Sequence, residues 1–478
     1  MKTLRNFVPT NDEFMELPVP FEDAMRQLLG DEYPTFREAL LNEPAVSIRL
    51  NREKCNATPD YERVPWSADG YYLAQRPSFT FDPLFHAGCY YVQEASSMFV
   101  EQAVKQHLGE ARVALDLCAA PGGKSTLLRS ILPDNCVLVS NEVMRQRAQV
   151  LAENVTKWGH PRCVVTSNYP ADFTPLGELF DIILVDAPCS GEGMFRKDEV
   201  AVAEWSPENV DVCWRRQRDI LTEIWPTLRP GGILIYSTCT FNTKEDEENV
   251  RWMMEELDAE LLPVQTDPIW GITPSLLADV RHAYRFLPGR TQGEGFFLAV
   301  LRKNGEPSSA EETAHNKKKK RGKEKSDIAT VPSVCKQWLT PKDSYTYRST
   351  GAEVTALPSD MLPLYTLLNE QLRVLKAGIL LAELKGRDVL PTHDLAMSKA
   401  LCTDAFARQE LSYTDALRYL RRESITLSAD APRGFVIVTY RDVPLGFVKN
   451  LGYRANNLYP NEWRIRTSHL PTKEETIV

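Results

Sequence analysis

The chain has no run of eighteen apolar residues, and its start, MKTLRNFVPTNDEF, lacks the apolar core of a secretory signal. Neither a membrane span nor a signal peptide is expected, and the reading is a cytoplasmic protein. None of the 10 cysteines lies in a CxxC pair and the 7 histidines are scattered, so no zinc cage and no disulfide framework is suggested. No metal is expected, and reduced thiols suit the cytosol. Positive charge is not in excess: 56 Lys and Arg against 65 Asp and Glu leave a formal charge of -9. No global field draws a polyanion, so nucleic-acid contact must come from local clusters. What is present, 43% hydrophobic and 25% charged residues in 478, is enough for two or three globular domains.

One segment divides the chain. Asn304 to Thr330, NGEPSSAEETAHNKKKKRGKEKSDIAT, has no aromatic residue and reads as a solvated linker over 304–330. Its basic run, Lys317 to Lys320 with Arg321, Lys323 and Lys325, is a candidate for phosphate contact.

Before the linker, apolar runs of strand length alternate with helical stretches. They are VALDL (Val113 to Leu117), CVLVSN (Cys136 to Asn141), CVVTSN (Cys163 to Asn168), DIILVD (Asp181 to Asp186), GILIYST (Gly232 to Thr238) and GFFLAVL (Gly295 to Leu301). Runs without alternation belong to strands covered on both faces, so a Rossmann-like, doubly wound α/β fold with a parallel sheet is predicted over 100–303. In such sheets ligands lie beyond the carboxyl ends of the strands. Two strands there run into cysteines, Cys189 of DAPCSG and Cys239 of YSTCTF. One such cysteine reads as a small apolar filler; two in matching positions beside Asp186 ask for a chemical reason.

The loop ALDLCAAPGGKSTLL joins the first strand of this region to a helix. Gly122 and Gly123 allow close backbone approach, and the helix beginning near Ser125 presents unpaired amides. Three ligands compete for it. A phosphate cradle needs GxxxxGK[ST]; Gly123, Lys124 and Ser125 fit, but Cys118 stands where the first glycine belongs. A dinucleotide turn needs GxGxxG, which is absent. S-adenosylmethionine needs a tight turn for its zwitterionic end and an acid at the tip of the second strand for its ribose, where Glu142 stands.

DLCAAPGGKST, VDAPCSGEG and YSTCTF resemble the motifs of the NOL/NOP/Sun family of RNA cytosine-5 methyltransferases, and SIRLN (Ser47 to Asn51) and YYVQEASSM (Tyr90 to Met98) resemble its amino-terminal signatures. The likeness reaches to about Arg302. With its long carboxy-terminal extension the chain is most similar to the RsmF type, which methylates cytosine in 16S small-subunit ribosomal RNA. The resemblance implies S-adenosylmethionine as cofactor, with Cys118, Ala119, Ala120, Pro121, Gly122, Gly123 and Lys124 as the methionine loop, Glu142 on the ribose, Asp186 as a further cofactor contact, and Asn168 for the adenine amine with Asp172 as substitute. It also implies Cys239 as nucleophile and Cys189 as the group that assists release. Carbon 5 of cytosine is too weak a nucleophile unaided, so a thiolate must add to carbon 6; Asp186 would then bond the N3 and N4 edge of the base. In RFLPGRTQGEGFF the sequence departs from the family pattern, which puts substrate contacts at Arg285 and Arg290 in question.

Residues 1–99 read as a small α+β module that guides RNA, with Arg49, Asn51 and Arg52 as candidate backbone contacts. Residues 331–478 carry a segment that resembles the PUA-like module of RsmF-type enzymes, in which Lys449, Tyr453, Arg454, Asn456, Asn457 and Arg464 would hold RNA. The expected partner is ribosomal RNA or the small subunit, met by a monomer. Transfer RNA is the competing substrate, and a non-catalytic RNA-binding assembly factor is the competing role.

Overall fold

A computed structural model describes residues 16–305, 331–341, 344–467, 470–471 and 473–478. The basic run of the predicted linker, Lys317 to Lys325, lies outside the described residues.

The amino-terminal part has two helices, Val19–Leu29 and Tyr33–Leu41, and an antiparallel sheet of β1 (Val46–Leu50), β2 (Gly70–Leu73) and β3 (Tyr90–Val92) with β1 in the middle. The central sheet follows with β4 (Val113–Asp116), β5 (Val137–Asn141), β6 (Cys163–Thr166), β7 (Phe180–Asp186), β8 (Leu228–Thr238), β9 (Ala259–Leu262), β10 (Thr273–Pro274), β11 (Ala283–Phe286) and β12 (Phe296–Lys303). Beyond the linker come β13 (Tyr345–Thr350), β14 (Glu353–Pro358), β15 (Val374–Ala377), β16 (Ile379–Lys385) and β17 (Asp388–Pro391). The chain closes with β18 (Ala407–Glu410), β19 (Gly434–Tyr440), β20 (Val443–Asn450) and β21 (Ala455–Asn457).

Strands β4 to β8 are parallel in the order β6-β5-β4-β7-β8. The order reverses direction at β4, which opens a crevice between the loops that leave β4 and β7. Alternate residues of each strand enter two cores. Ala114, Leu138, Val165, Ile182 and Ile235 face the helices of Leu127 and Leu151, while Leu115, Val139, Ile183, Val185 and Leu234 face Leu221, Ile224 and Val250. Both faces are apolar, which is why these strands read as unbroken hydrophobic runs.

The expectation of a wholly parallel sheet is corrected at both flanks. β12 is antiparallel to β8, pairing Leu301 with Leu234, and the far edge is closed by β15, which pairs Val374 with Thr166 of β6 in antiparallel fashion. An apolar run such as GFFLAVL reports burial, which is the same for either strand direction. β12 is turned around by its pairing with β11, also antiparallel.

Two of the three predicted RNA contacts of the amino-terminal module, Arg49 and Asn51, are also corrected. Arg49 is 1% exposed. Its guanidinium donates to Gln93 Oε1 at 2.8 Å and Thr126 Oγ1 at 2.7 Å, and lies 4.5 Å from the Trp158 ring centre. Asn51 Nδ2 donates to Gly88 O at 3.0 Å and Trp158 O at 3.1 Å, and Arg52 pairs with Asp69. Arg49 and Asn51 therefore fasten the amino-terminal sheet to the central domain. An arginine in a strand reads as surface charge until its partners, far along the chain, are known.

The two carboxy-terminal sheets are β13-β14-β16-β17 and β18-β19-β20-β21. The second shares one core with β1–β3: Ile48, Leu50, Tyr71 and Tyr90 pack with Leu417, Leu420, Val438 and Tyr459. Tyr413 donates to Phe81 O at 3.0 Å across this junction, and the Ile477 amide donates to Asp82 at 3.1 Å.

Candidate active site

β7 and β8 are neighbours with Asp186 opposite Ser237, so the loops leaving them rise side by side. They bring the two strand-end thiols into contact, with the sulfurs of Cys189 and Cys239 3.3 Å apart. Sharing its hydrogen with Cys239, and then burial, hold the Cys189 thiol well above its ordinary range.

Lys124, in the first turn of the helix Gly123–Ile131, donates to Asp186 Oδ2 at 2.8 Å, and Ser237 Oγ donates to Asp186 Oδ1 at 2.8 Å. Burial alone would lower the Lys124 ammonium, but Asp186, followed by Cys239 and Asp116, more than offsets it and raises it above its ordinary range. Lys124 is thus a fixed cation near enough to Cys239 to interact with it electrostatically.

The loop before Lys124 is pinned by its neighbours. Leu117 N donates to Leu184 O at 2.9 Å, Ala119 N to Asn141 O at 2.8 Å, and Arg147 reaches Ala120 O at 2.8 Å. Gly122 has φ of 118°, a left-handed conformation that needs glycine, and a Cβ there would meet Asn154 and Leu151 at 3.3 Å. Asn154 Nδ2 donates to Pro121 O at 2.8 Å. Beyond β5, the buried Glu142 accepts from Met144 N at 2.9 Å and pairs with Arg147 at 3.3 Å.

Asp116, at the end of β4, went unnoticed in the sequence. Its Oδ2 accepts from Ser125 Oγ at 2.6 Å while its Oδ1 is buried with no partner. Burial pushes its carboxyl up to about 7; Ser125 opposes, and Asp186 and Glu142 add to the rise. Asp116, Glu142 and Asp186 therefore surround a loop whose one cation, Lys124, is already paired. With Lys124 on Asp186 and Arg147 on Glu142, no cation of this site among the described residues is left unpaired for a triphosphate, and the acids suit a cationic sulfonium and ammonium, so the donor set fits S-adenosylmethionine.

The raised Asp116 value carries a pH prediction. An acid whose folded value lies above its unfolded one contributes stability that is full below about pH 4 and is lost as pH rises through about 7. Asp116→Asn does not titrate, so its denaturation midpoint is expected to gain on wild type from pH 5 to pH 8, by on the order of 2 kcal/mol or more. A gap that stays constant over that range would mean that Asp116 is ionised throughout.

Asn168 is a correction. Its Oδ1 accepts from Arg373 N at 2.9 Å and its Nδ2 donates to Arg373 O at 3.3 Å, so the amide closes the carboxy-terminal segment onto the sheet and is not free for an adenine amine. Asp172 caps its own turn through Tyr169 N at 2.9 Å. Arg285 is buried on Glu247 at 2.6 Å and Asp246 at 3.1 Å, and Arg290 pairs with Glu32 at the surface. In the carboxy-terminal module Tyr453 is 82% exposed with the Arg454 guanidinium 5.6 Å from its ring centre, and Asn456 and Arg464 are exposed. Lys449 pairs with Asp388 at 2.9 Å. Asn457 Nδ2 instead holds Tyr419 O at 2.8 Å and Glu423 O at 3.0 Å, which is a structural task.

Comparison with known proteins follows the same parts. Residues 103–302 match the family of 16S rRNA methyltransferase RsmB/F, residues 17–95 match the N-terminal domain of 16S rRNA methyltransferase RsmF, and residues 406–465 match the methyltransferase RsmF PUA domain. Ribosomal RNA small subunit methyltransferase F of Klebsiella pneumoniae is 32% identical over 412 residues, covering 84% of each chain. Its counterpart from Erwinia tasmaniensis is 29% identical over 471 residues, 93% of this chain and 96% of that one. A crystal structure of a methyltransferase homologue from Pyrococcus horikoshii matches with TM-score 0.52 and 28% identity, covering 59% of this chain and 94% of its own.

Proposed function

The chain belongs to the RsmF family of 16S rRNA methyltransferases, and we propose that it transfers the methyl group of S-adenosylmethionine to carbon 5 of a cytosine in small-subunit ribosomal RNA, through a covalent adduct at Cys239. The observation that carries this reading is the pair of thiols 3.3 Å apart beside the Lys124–Asp186 bond. One thiol would suffice for packing. Two in contact at the crevice suit a reaction that makes and then breaks a carbon–sulfur bond.

The Cys239 sulfur, as a thiolate, adds to carbon 6 and moves the double-bond electrons toward carbon 5. When bound, S-adenosylmethionine supplies the electrophilic methyl group; the loop 118–124 would hold its methionine end and Glu142 its ribose. Asp186, oriented by Lys124 and Ser237, accepts from the N4 amine and from N3 once that nitrogen is protonated. A base then removes the carbon 5 proton, the double bond re-forms, and the Cys239 sulfur leaves with its bonding pair. Cys189 keeps its hydrogen at neutral pH, so it can donate to the departing thiolate and cannot compete as nucleophile. Substrate RNA would meet the exposed Tyr453, Arg454, Asn456 and Arg464 of the carboxy-terminal module. Among the described residues no helix is long and apolar enough to cross a membrane, in keeping with work on ribosomal RNA in the cytoplasm.

The test is labelled-methyl transfer to small subunits, free 16S ribosomal RNA and transfer RNA from cells lacking the activity, with the product nucleoside identified. The expected product is 5-methylcytosine in small-subunit RNA. Label in transfer RNA alone would reassign the substrate, and no transfer to any of them would leave an RNA-binding assembly factor.

A further inference from the structure

Each strand-end cysteine sits in a loop held by an acid from the other loop. Glu192, three residues after Cys189, accepts from Thr240 Oγ1 at 2.6 Å, Phe241 N at 2.7 Å and Asn242 N at 3.0 Å through one oxygen. Its other oxygen accepts from Asn242 Nδ2 at 2.9 Å and Trp205 Nε1 at 3.1 Å. All but Trp205 belong to the segment that follows Cys239. Glu245, on the Cys239 side, accepts in return from Ser190 N at 3.0 Å, the residue after Cys189, and from Gln217 Nε2 at 2.7 Å and Asn242 Nδ2 at 2.9 Å. Gln217 also donates to Pro188 O at 3.1 Å, so the peptides on both sides of Cys189 are held. Gly193 N donates to Cys239 O at 2.8 Å, and a Cβ on Gly193 would lie 2.8 Å from that oxygen.

Both acids are buried, and each gathers several donors at once. Glu192 accepts five bonds and Glu245 three, with both oxygens of each acid engaged. A buried acid stripped of such bonds is strongly unfavourable, so these bonds hold the two loops closed on each other. The bonds of Glu192 and Glu245 run to the loops and not to the sulfurs.

We propose that Glu192 and Glu245 are positioning residues that set the separation of the two thiols, Glu192 fixing the attacking sulfur of Cys239 and Glu245 the releasing sulfur of Cys189. This rests on the roles of the cysteines given above. The crossed arrangement makes the two acids separable: each belongs to one cysteine's loop and governs the other cysteine.

The experiment is a single-turnover assay on small subunits with wild type, Glu192→Gln and Glu245→Gln, measuring methyl product and denaturant-resistant protein–RNA adduct over time, with cofactor affinity and melting temperature as checks of folding. A displacement of a reacting group by about 1 Å costs up to about 100-fold in rate. Glu192→Gln is expected to form adduct on the order of 10-fold to 100-fold more slowly, with KM for RNA unchanged. Glu245→Gln is expected to methylate in the first turnover and then hold its adduct on the order of 10-fold longer than wild type. Gln217→Met, which keeps the volume and removes the bonds to Glu245 and Pro188 together with those accepted from Asn249 and Tyr236, should repeat the Glu245→Gln pattern if Glu245→Gln proves poorly folded. The proposal is overturned if both acid variants lose adduct formation and release in equal measure, or if Glu245→Gln and Gln217→Met release as fast as wild type. If wild type itself forms neither adduct nor 5-methylcytosine, it is the cysteine chemistry that fails, and the two failures are told apart.

Discussion

Cys239→Ala is expected to abolish methyl transfer, by about 10⁴-fold or more, while Cys189→Ala is expected to transfer one methyl and remain covalently joined to its RNA. The two thiols touch at 3.3 Å, yet their surroundings differ. Both are half-buried, but Cys239 interacts electrostatically with the Lys124 ammonium, whereas the Cys189 thiol is held well above its ordinary range, by its bond to Cys239 and then by desolvation. Exchange of either for alanine removes about the same volume, so a packing role would give two similar enzymes. The measurement is gel separation of denatured enzyme after incubation with small subunits and S-adenosylmethionine. A slow band containing RNA should appear with Cys189→Ala and vanish in the double variant, in which the nucleophile is also missing. A band that persists in the double variant, or full activity in Cys239→Ala, would falsify the assignment.

Arg285→Met is expected to destabilise the fold by about 3–5 kcal/mol. Arg285, Asp246 and Glu247 are fully buried, with the guanidinium donating to Glu247 at 2.6 Å and to Phe241 O at 2.7 Å and standing 3.1 Å from Asp246. Burial already pushes the Asp246 carboxyl well up, with Arg285 the main opposing influence. Without that cation two carboxyls are left in an apolar interior and bind protons more tightly in the folded state than in the unfolded one. The loss should therefore be larger at pH 8 than at pH 5. Denaturant melts of the two proteins at both pH values measure it, and equal losses at both would show that the carboxyls stay ionised after the arginine is gone. Because Phe241 O is one of the arginine's acceptors, the same substitution should also slow adduct formation by Cys239.

The parts of the site that lie close in sequence to a strand end could be read without a structure. Cys118 to Lys124, Glu142, Asp186, Cys189 and Cys239 each follow an apolar run within a few residues, and the doubly wound order brings those ends to one crevice. What was illegible depends on partners distant in sequence. Asn168 resembled a free acceptor because nothing near it announces that Arg373 comes back to take both ends of its amide. Arg49 resembled a surface charge because its partners, Gln93, Thr126 and Trp158, come from three separate elements. Strand direction in GFFLAVL was hidden because burial on both faces leaves the same apolar pattern for either direction. Glu192 sits inside VDAPCSGEG, a motif read for its cysteine, and Glu245 lies four residues beyond YSTCTF. Acids in loops read as solvent-facing until the opposing backbone amides are seen.

The core shared by β1–β3 and the last four strands has a consequence for how the protein is made. Ile48, Leu50 and Tyr90 leave the ribosome long before the residues that cover them, from Leu417 onward. At about 5–20 residues per second the delay is on the order of tens of seconds, during which the amino-terminal sheet carries an uncovered apolar face. The central sheet can close in that interval up to β12, but its edge beside β6 also waits for β15. A chain that stops before its carboxy-terminal strands would thus leave the nascent protein with one exposed face and one open sheet edge, both prone to aggregate.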